Sequence, residues 1–232
     1  MARRSYDHYC AAARALDVIG DRWALLIVRE LLTGPRRYTD LHADLPGIST
    51  DVLAARLKDL ERDGVVTRRR LPPPGTATVY ELTVRGRDLL PVLAALAAWG
   101  APELTGPRST DAMRAHWFVI PLMDTLRSST DGLEGVVQIK LDEKLFHIRL
   151  SAGAPSYGDG PADDPDVRVT MDSDTCLALI RAATTMAEAH MTGKLRIAGE
   201  GRLADALTRR RSTSDGERAH TAQGADAEPE FR

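Results

Sequence analysis

The sequence predicts an α+β protein of two domains. The first domain combines helices with one β-hairpin, and the second is a mixed sheet covered by helices. Residues 6–100 contain a run of capped, amphipathic segments that ends in two β-rich stretches. A segment rich in Pro, Gly, Ser and Thr follows, and strands alternate with helices beyond it. The 232 residues are enough for two hydrophobic cores of ordinary size.

These breaks define the expected boundaries. The first domain is predicted over residues 1–100, a linker over 101–111 and the second domain over 112–210. Residues 211–232 are polar and almost free of aliphatic side chains, so we expect them to be a disordered tail.

Composition excludes several classes of protein. Hydrophobic residues make up 43% of the chain, but no apolar run approaches the ~20 residues that span a bilayer, and the first residues lack the apolar core of a secretory signal. We therefore expect a cytoplasmic protein without a membrane partner. Cys10 and Cys176 fit neither a disulfide framework nor a zinc spacing, and the six histidines are scattered. No metal and no cofactor are expected.

The distribution of charge distinguishes the two domains. The net charge of the chain is -2, yet residues 1–100 carry 15 Lys and Arg against 12 Asp and Glu. Residues 101–232 carry 16 against 21. The basic excess belongs to the first domain, which makes that domain the better candidate for contact with phosphate.

Each element of the first domain has a local signal. Gly20, Gly34-Pro35 and Pro46-Gly47 separate the helices, and Asp21 and Ser49 can cap the second and fourth helices. Asp63-Gly64 precedes two β-rich stretches that flank a proline-rich tip. The predicted helices cover His8–Ile19, Asp21–Thr33, Tyr38–Asp44, Ser49–Asp63 and Val84–Trp99, and the predicted strands cover Val65–Leu71 and Ala77–Leu82.

The fourth helix has the pattern of a DNA-reading helix. Leu53, Leu57 and Leu60 recur at i, i+4 and i+7 and form an apolar stripe. The rest of its surface is small or polar, and a capped helix of this kind fits the major groove of DNA. The long last helix is too apolar for a solvated surface, so one of its faces is expected to pack against a partner chain.

The second domain is predicted from alternating patterns. A helix around Trp117–Leu126 precedes a hairpin over Val136–Leu150, and a loop covers Gly153–Asp164. The strand Val167–Met171 follows, and then a helix that Ser173 or Asp174 caps and that extends to Ala182. A further helix to Met191, the strand Leu195–Ala198 and a short helix after Gly201 complete the domain.

A set of residues in fixed order runs through the first domain: Cys10, Gly20-Asp21-Arg22-Trp23, Leu31, Gly34-Pro35-Arg36-Arg37-Tyr38, Asp40-Leu41, Pro46-Gly47-Ile48-Ser49, Leu53, Arg56-Leu57, Leu60, Gly64, Arg68, Tyr80-Glu81-Leu82-Thr83, Gly86 and Trp99-Gly100. With these residues the domain resembles the HxlR family of winged helix-turn-helix transcription regulators. The resemblance implies a homodimer, with the first and last helices at its interface, bound to a two-fold operator in double-stranded DNA.

A second set of segments lies in the second domain: Trp117–Leu126, Val136–Leu150, Asp166–Val169 and Gly193–Glu200. With these segments the domain resembles sterol-carrier-protein-like domains. Such domains hold an apolar tunnel between a sheet and helices, or serve only as dimerisation pieces. The resemblance therefore implies either a small apolar effector or a purely structural role.

The resemblance and the helical pattern together nominate DNA-contacting residues. Arg36, Arg37 and Tyr38 open the third helix and are expected at phosphate. The residues expected to face base edges are Ser49, Thr50, Asp51, Ala54, Ala55 and Lys58. Arg68 and Arg70 share one side of the first hairpin strand and are expected to act together, whereas Arg56 is expected to brace the helix or reach backbone phosphate.

Two regulatory candidates remain open. Cys10 lies where several family members keep a redox-sensing thiol, and His8 and Arg14 could favour its thiolate, but a cysteine among alanines is also often a small buried residue. The candidate ligand-binding residues of the second domain are Trp117, Phe118, Met123, Phe146, Met171 and Met186. They would line a cavity or form an ordinary solid core.

Three functional hypotheses follow. The first is a DNA-binding transcriptional regulator controlled by an apolar ligand or by oxidation of Cys10. The second is a carrier of lipids or other apolar molecules whose first domain only mediates dimerisation. An enzyme is the least favoured, because no Ser-His-Asp set, paired-carboxylate motif or phosphate-binding glycine loop stands out.

Overall fold

The computed structural model describes residues 5–73, 76–105, 110–151 and 155–209. The α+β class and the two-part organisation are confirmed. Four predictions lie partly or wholly outside the described residues: the tip of the hairpin at Pro74-Gly75, the centre of the linker at 106–109, the start of the predicted loop at 153–154, and the disordered tail over 211–232.

The first domain consists of helices and a small antiparallel sheet. Its elements are α1 (Ala11–Ile19), α2 (Ala24–Leu32), β1 (Arg36–Arg37), α3 (Tyr38–Asp44), α4 (Thr50–Arg62), β2 (Val66–Arg70), β3 (Thr78–Leu82), α5 (Val84–Arg87) and α6 (Leu90–Gly100). The sheet order is β1-β3-β2, so the short strand β1 joins the outer side of the hairpin. This is the arrangement of a winged helix-turn-helix domain.

Four details of the first domain differ from the sequence-based expectation. Helix α2 begins at Ala24 with Trp23 at its N-cap position, so Asp21 does not cap it. Helix α1 begins at Ala11 rather than His8, with Cys10 at its N-cap position. The strand β1 was not predicted, because two arginines carry no strand pattern. The predicted last helix is two helices, which separate at Asp88-Leu89 before Pro91 enters the first turn of α6.

The second domain is built on a five-stranded mixed sheet. Its elements are α7 (Val119–Thr130), β4 (Gly135–Leu141), β5 (Lys144–Leu150), β6 (Ser156–Asp159), β7 (Val167–Met171), α8 (Ser173–Ile180), α9 (Met186–Met191), β8 (Leu195–Gly199) and α10 (Arg202–Thr208). The order is β6-β5-β4-β7-β8, and only the pairing of β4 with β7 is parallel. A 3-10 turn over Ala115–Phe118 leads into α7.

Two expectations for the second domain are wrong. The predicted loop over Gly153–Asp164 contains the edge strand β6, whose sequence Ser-Tyr-Gly-Asp carries only one residue typical of strands. Helix α8 is capped by Asp172 rather than Ser173 or Asp174, since the Asp172 carboxylate accepts a hydrogen bond from the Thr175 backbone N–H at 2.8 Å.

The two domains share one apolar core. The buried residues of α2, α4 and the hairpin belong to the same cluster as those of α7 and the five-stranded sheet. Helix α6 packs against α7 and connects the two halves. Within the described ranges, no helix combines the length and apolar character needed to cross a membrane.

Candidate functional site

Helix α4 presents the surface that the sequence predicted. Ser49 occupies its N-cap, and its hydroxyl accepts a hydrogen bond from the Val52 backbone N–H at 3.4 Å. Leu53, Leu57 and Leu60 are buried in the core. The residues of the opposite side that are exposed include Thr50, Asp51, Ala54, Ala55 and Lys58. The small and polar side chains are therefore free to approach a groove.

Two contacts fix the orientation of α4. The Tyr38 hydroxyl, at the start of α3, donates a hydrogen bond to the Thr50 carbonyl at 2.8 Å. Arg56 pairs with Asp21 at 3.0 Å and with Asp59 at 3.3 Å. Tyr38 is thus a brace between the two helices of the helix-turn-helix, and Arg56 ties α4 to the segment before α2. The expected bracing role of Arg56 agrees with these contacts.

The arginines of the hairpin divide into paired and unpaired groups. Arg68 contacts Glu61 at 2.8 Å, and Arg69 contacts Glu81 at 3.1 Å. The hydrogen bond to Glu61 raises the pKa of Arg68, so this guanidinium stays charged. Arg70 is exposed and makes no ion pair within the described ranges. Although Arg68 and Arg70 lie on one side of β2, as expected, only Arg70 is free of a carboxylate.

Arg36 is engaged elsewhere. Its guanidinium donates to the Thr33 hydroxyl at 2.7 Å and forms an ion pair with Asp159 of β6 at 2.5 Å. It therefore faces the second domain, in contrast to the expectation that it opens α3 toward phosphate. Arg37 is exposed, and only its backbone N–H is used locally, in a hydrogen bond to Asp40.

A buried carboxylate joins the two domains. Glu30 of α2 has 0% exposure. One of its oxygens accepts hydrogen bonds from Arg29 at 2.8 Å and from the Trp117 indole N–H at 2.9 Å, and the other lies 2.6 Å from His116 Nε2. The Arg29 guanidinium also lies over the Trp117 ring, 4.3 Å from its centroid. His116 and Trp117 of the second domain thus both contact the Glu30 carboxylate of the first domain.

Burial alone would raise the pKa of Glu30. The hydrogen bond with His116 and the charges of Arg29 and His116 outweigh it, and the pKa is lowered below its usual value of 4.5. The carboxylate is therefore ionised, and its charge is compensated from both sides of the junction. Sequence reasoning missed this residue, although a charged side chain between Ile27 and Leu31 on a buried helix face was a visible signal.

A second pair of contacts lies beside Glu30. Arg114 approaches Asp44, the last residue of α3, at 3.6 Å, and also reaches the Ala43 carbonyl at 3.4 Å. The hydroxyl of Tyr157 is buried without a hydrogen-bond partner within the described ranges, and burial raises its pKa. The junction consequently contains one orphaned polar atom next to a satisfied ionic network.

Three side chains at this junction are of the types that bind metal ions. The ligand atoms of Glu30, Asp44 and His116 lie within 4.8 Å of one another. Guanidinium groups from Arg29 and Arg114 already contact the two carboxylates. This neutralisation makes the cluster an ion-pair network, since a cation placed there would meet two positive charges.

Cys10 lies at the N-terminus of α1 and is exposed. Hydrogen bonding from the backbone N–H groups of Ala13 and Ala12 lowers its pKa. Arg14, expected to favour the thiolate, instead lies 3.7 Å from Asp17. The alternative that Cys10 is buried is wrong for the single chain. Cys176 is buried in the core, which raises its pKa to about 12.

The six candidate ligand residues do not all lie in the same place. Phe118, Met123, Phe146, Met171 and Met186 are buried in the common core. Phe146 also lines a cleft between the domains. Trp117 is half-buried and faces Glu30 rather than the interior of the second domain. Of the six candidates, only Phe146 lines this cleft at the junction of the domains.

Each domain matches a model of a known protein family. Residues 18–106 match the HxlR-like helix-turn-helix family, and residues 122–209 match the SCP-2 sterol transfer family. The HTH-type transcriptional regulator YvaP of Bacillus subtilis is 40% identical over 98 residues, which are 42% of this chain and 90% of YvaP. The regulator YodB of the same organism is 38% identical over 96 residues, which are 41% of this chain and 85% of YodB.

Among solved structures, the reduced form of YodB has 32% sequence identity and a TM-score of 0.38, and the match covers 44% of this chain and all of that one. The two regulators each match less than half of this chain, and the likeness of the second domain to a known family comes from the SCP-2 match.

Replacing Glu30 by Gln tests the junction. The amide keeps the shape but loses the charge, so we expect the free energy of unfolding at pH 7 to fall by about 1–3 kcal/mol. Because the folded-state pKa of Glu30 is lowered, its contribution is present above pH 4.5 and is lost as the pH falls through the lower folded value. Denaturant titrations at several pH values should show a shallower acid loss in E30Q than in the natural chain.

The control for this experiment is Tyr157→Phe, which removes the unpartnered hydroxyl from the same junction. It should leave stability unchanged or raise it slightly, with an unaltered acid profile. Equal acid profiles for E30Q and the natural chain would show that Glu30 does not stabilise the junction as an ion.

Proposed function

The chain belongs to the HxlR-like helix-turn-helix family, and from this premise we propose that it binds an inverted-repeat DNA operator as a cytoplasmic homodimer and regulates transcription. The observation that carries the proposal is the exposed outer side of α4, held by Tyr38 and capped by Ser49. Two such helices in a dimer would enter successive major grooves, about 34 Å apart.

Different residues would play different roles on the duplex. The outer side of α4, from Thr50 to Lys58, would face base edges, where the small side chains of Ala54 and Ala55 permit close approach. Arg37 and Arg70 are exposed and unpaired with carboxylates within the described ranges, so they would contact phosphate. Arg68 would reach phosphate only by leaving Glu61.

The dimer would form through α1 and α6. The exposed apolar residues of these helices and of the turn before α1 include Tyr9, Leu16, Val92, Leu96 and Trp99. Trp99 is 82% exposed, which is unusual for so large an apolar side chain. A second copy of the same surface would cover these residues in a two-fold interface.

Two routes of control are proposed. An apolar effector held by the second domain would change the spacing of the recognition helices, or oxidation of Cys10 would do so from the dimer side. The exposure of Cys10 and its lowered pKa support the second route. The SCP-2 match supports the first route, and it equally supports the alternative of an apolar-ligand carrier whose winged helix serves only dimerisation.

Two substitutions test DNA binding. On a palindrome upstream of the protein's own gene, Lys58→Ala should weaken operator binding by about 1–3 kcal/mol and relax the base preference. Arg70→Ala should lower the slope of log affinity against log salt by about 0.9 without changing the preference. Fluorescence anisotropy over a salt series measures both effects.

Lys140→Ala is the matched control, because this exposed lysine lies on the second domain. DNA affinities that are the same for all three variants and the natural chain would contradict the interface. Absence of any DNA binding together with tight binding of an apolar ligand would favour the carrier.

Introducing a charge into α6 tests the dimer. Leu96→Asp would bury an unpaired carboxylate in the proposed interface, so sedimentation should show a shift from dimer to monomer of at least tenfold in dissociation constant. Met191→Asp changes an exposed apolar residue of α9 and should leave the oligomeric state unchanged. A dimer that persists unaltered in L96D would place the interface elsewhere.

Oxidation provides the test for Cys10. Diamide should lower the affinity of the natural chain for its operator, and Cys10→Ser should abolish this response because no other thiol is exposed. Cys176→Ala should retain the response, since its thiol is buried with a raised pKa. An unchanged response in C10S would exclude the thiol switch.

A further inference from the structure

A cleft lies between the two domains. We call it the interdomain cleft; it has a volume of about 460 Å³ and is lined by residues of both domains. Arg36 and Asp44 contribute from the first domain, and Lys144, Phe146 and Asp159 contribute from the second. Its volume is in the range of pockets that hold small molecules, roughly 300–1,000 Å³.

The charges of the interdomain cleft favour an anion. Two of its arginines are already matched, since Arg36 pairs with Asp159 and Arg114 pairs with Asp44. Lys144 also lines the cleft, and it makes no ion pair within the part of the chain that the structure describes. The lining thus carries one more cation than carboxylates, and the surplus charge is an exposed ammonium group.

Apart from His116, whose Nε2 already lies 2.6 Å from the Glu30 carboxylate, the remaining lining is apolar. Ala115, Leu145 and the buried Phe146 form part of the wall next to these cations. A ligand that satisfies both parts has an apolar body that contacts Leu145 and Phe146 and a carboxylate that reaches Lys144. We propose that the interdomain cleft binds a small carboxylate of this kind, and that this is the effector site of the regulator; the second statement rests on the proposed function.

The position of the cleft supplies the coupling to DNA. One residue, Arg37, separates Arg36 from the start of α3, and Asp44 is the last residue of α3. Residues of the cleft therefore hold both ends of this helix. Tyr38 of the same helix donates its hydroxyl to the Thr50 carbonyl at the start of α4. A ligand carboxylate that binds Lys144 and also approaches the guanidinium of Arg36 or Arg114 would weaken the ion pair with Asp159 or Asp44. The weakened ion pair would move α3 and, through Tyr38, the recognition helix.

The strength of this coupling can be expressed as a fold-change in affinity. Effectors of binding proteins typically change the affinity for the second ligand by about 5–150-fold, and the change is reciprocal. Bound carboxylate and operator DNA should therefore alter each other's affinity by the same factor.

The test uses the full chain, 4-phenylbutyrate as the probe and the uncharged 4-phenylbutanol as its matched analogue. Calorimetry should show that the natural chain prefers the carboxylate, and that Lys144→Gln weakens binding of 4-phenylbutyrate about fivefold or more while binding of the alcohol is unchanged. Lys140→Gln, a paired lysine of β4 outside the cleft lining, should behave like the natural chain.

Different outcomes would contradict the cleft site and the effector role. Binding of 4-phenylbutyrate that is absent, or equal in the natural chain and K144Q, overturns the cleft site even if operator binding is normal. Binding that depends on Lys144 in a chain with no DNA affinity keeps the site and overturns the regulator. Anisotropy on the operator, with and without 4-phenylbutyrate, then completes the test: an unchanged DNA affinity overturns the effector role.

Discussion

An ionised carboxylate without solvent contact determines how the two domains meet. Apolar packing between α6 and α7 is non-directional and would allow several orientations of the domains. Glu30 allows few orientations, because a buried charge must keep its hydrogen-bond and ion-pair partners, and those partners come from both domains. Arg29 belongs to the same helix, whereas His116 and Trp117 belong to the segment that leads into α7. The network therefore fixes an orientation that the hydrophobic effect alone leaves open.

The consequence for the DNA-facing side is mechanical. Helix α3 is held at both ends by charged residues of the junction, and its Tyr38 holds the beginning of α4. The outer side of α4 remains exposed while its buried side belongs to the common core. The contacts of α3 thus form one short path between the junction and α4, and this path does not include the sheet of the second domain apart from Asp159.

Local signals made much of this fold predictable. The cap at Ser49, the leucine stripe and the Pro-Gly turn placed α4 within one residue, since a capped amphipathic helix is specified by its own sequence. The roles of Arg36 and Trp117 were not accessible in this way, because their partners lie 123 and 87 residues away. Strand β6 was missed for a related reason: its conformation depends on pairing with β5 rather than on its own residues.

The contact between Arg36 and Asp159 also lowers the number of unpaired cations in the first domain. The guanidinium of Arg36, in the strand just before α3, is paired with a carboxylate of the second domain. YvaP, nearly all of which is spanned by its match to the first domain, is too short to carry such a fused partner. Attraction to arbitrary duplexes grows steeply with the number of available cations. With this ion pair in place, the first domain has one fewer unpaired cation that could attract a duplex regardless of its sequence, quite apart from anything the second domain binds.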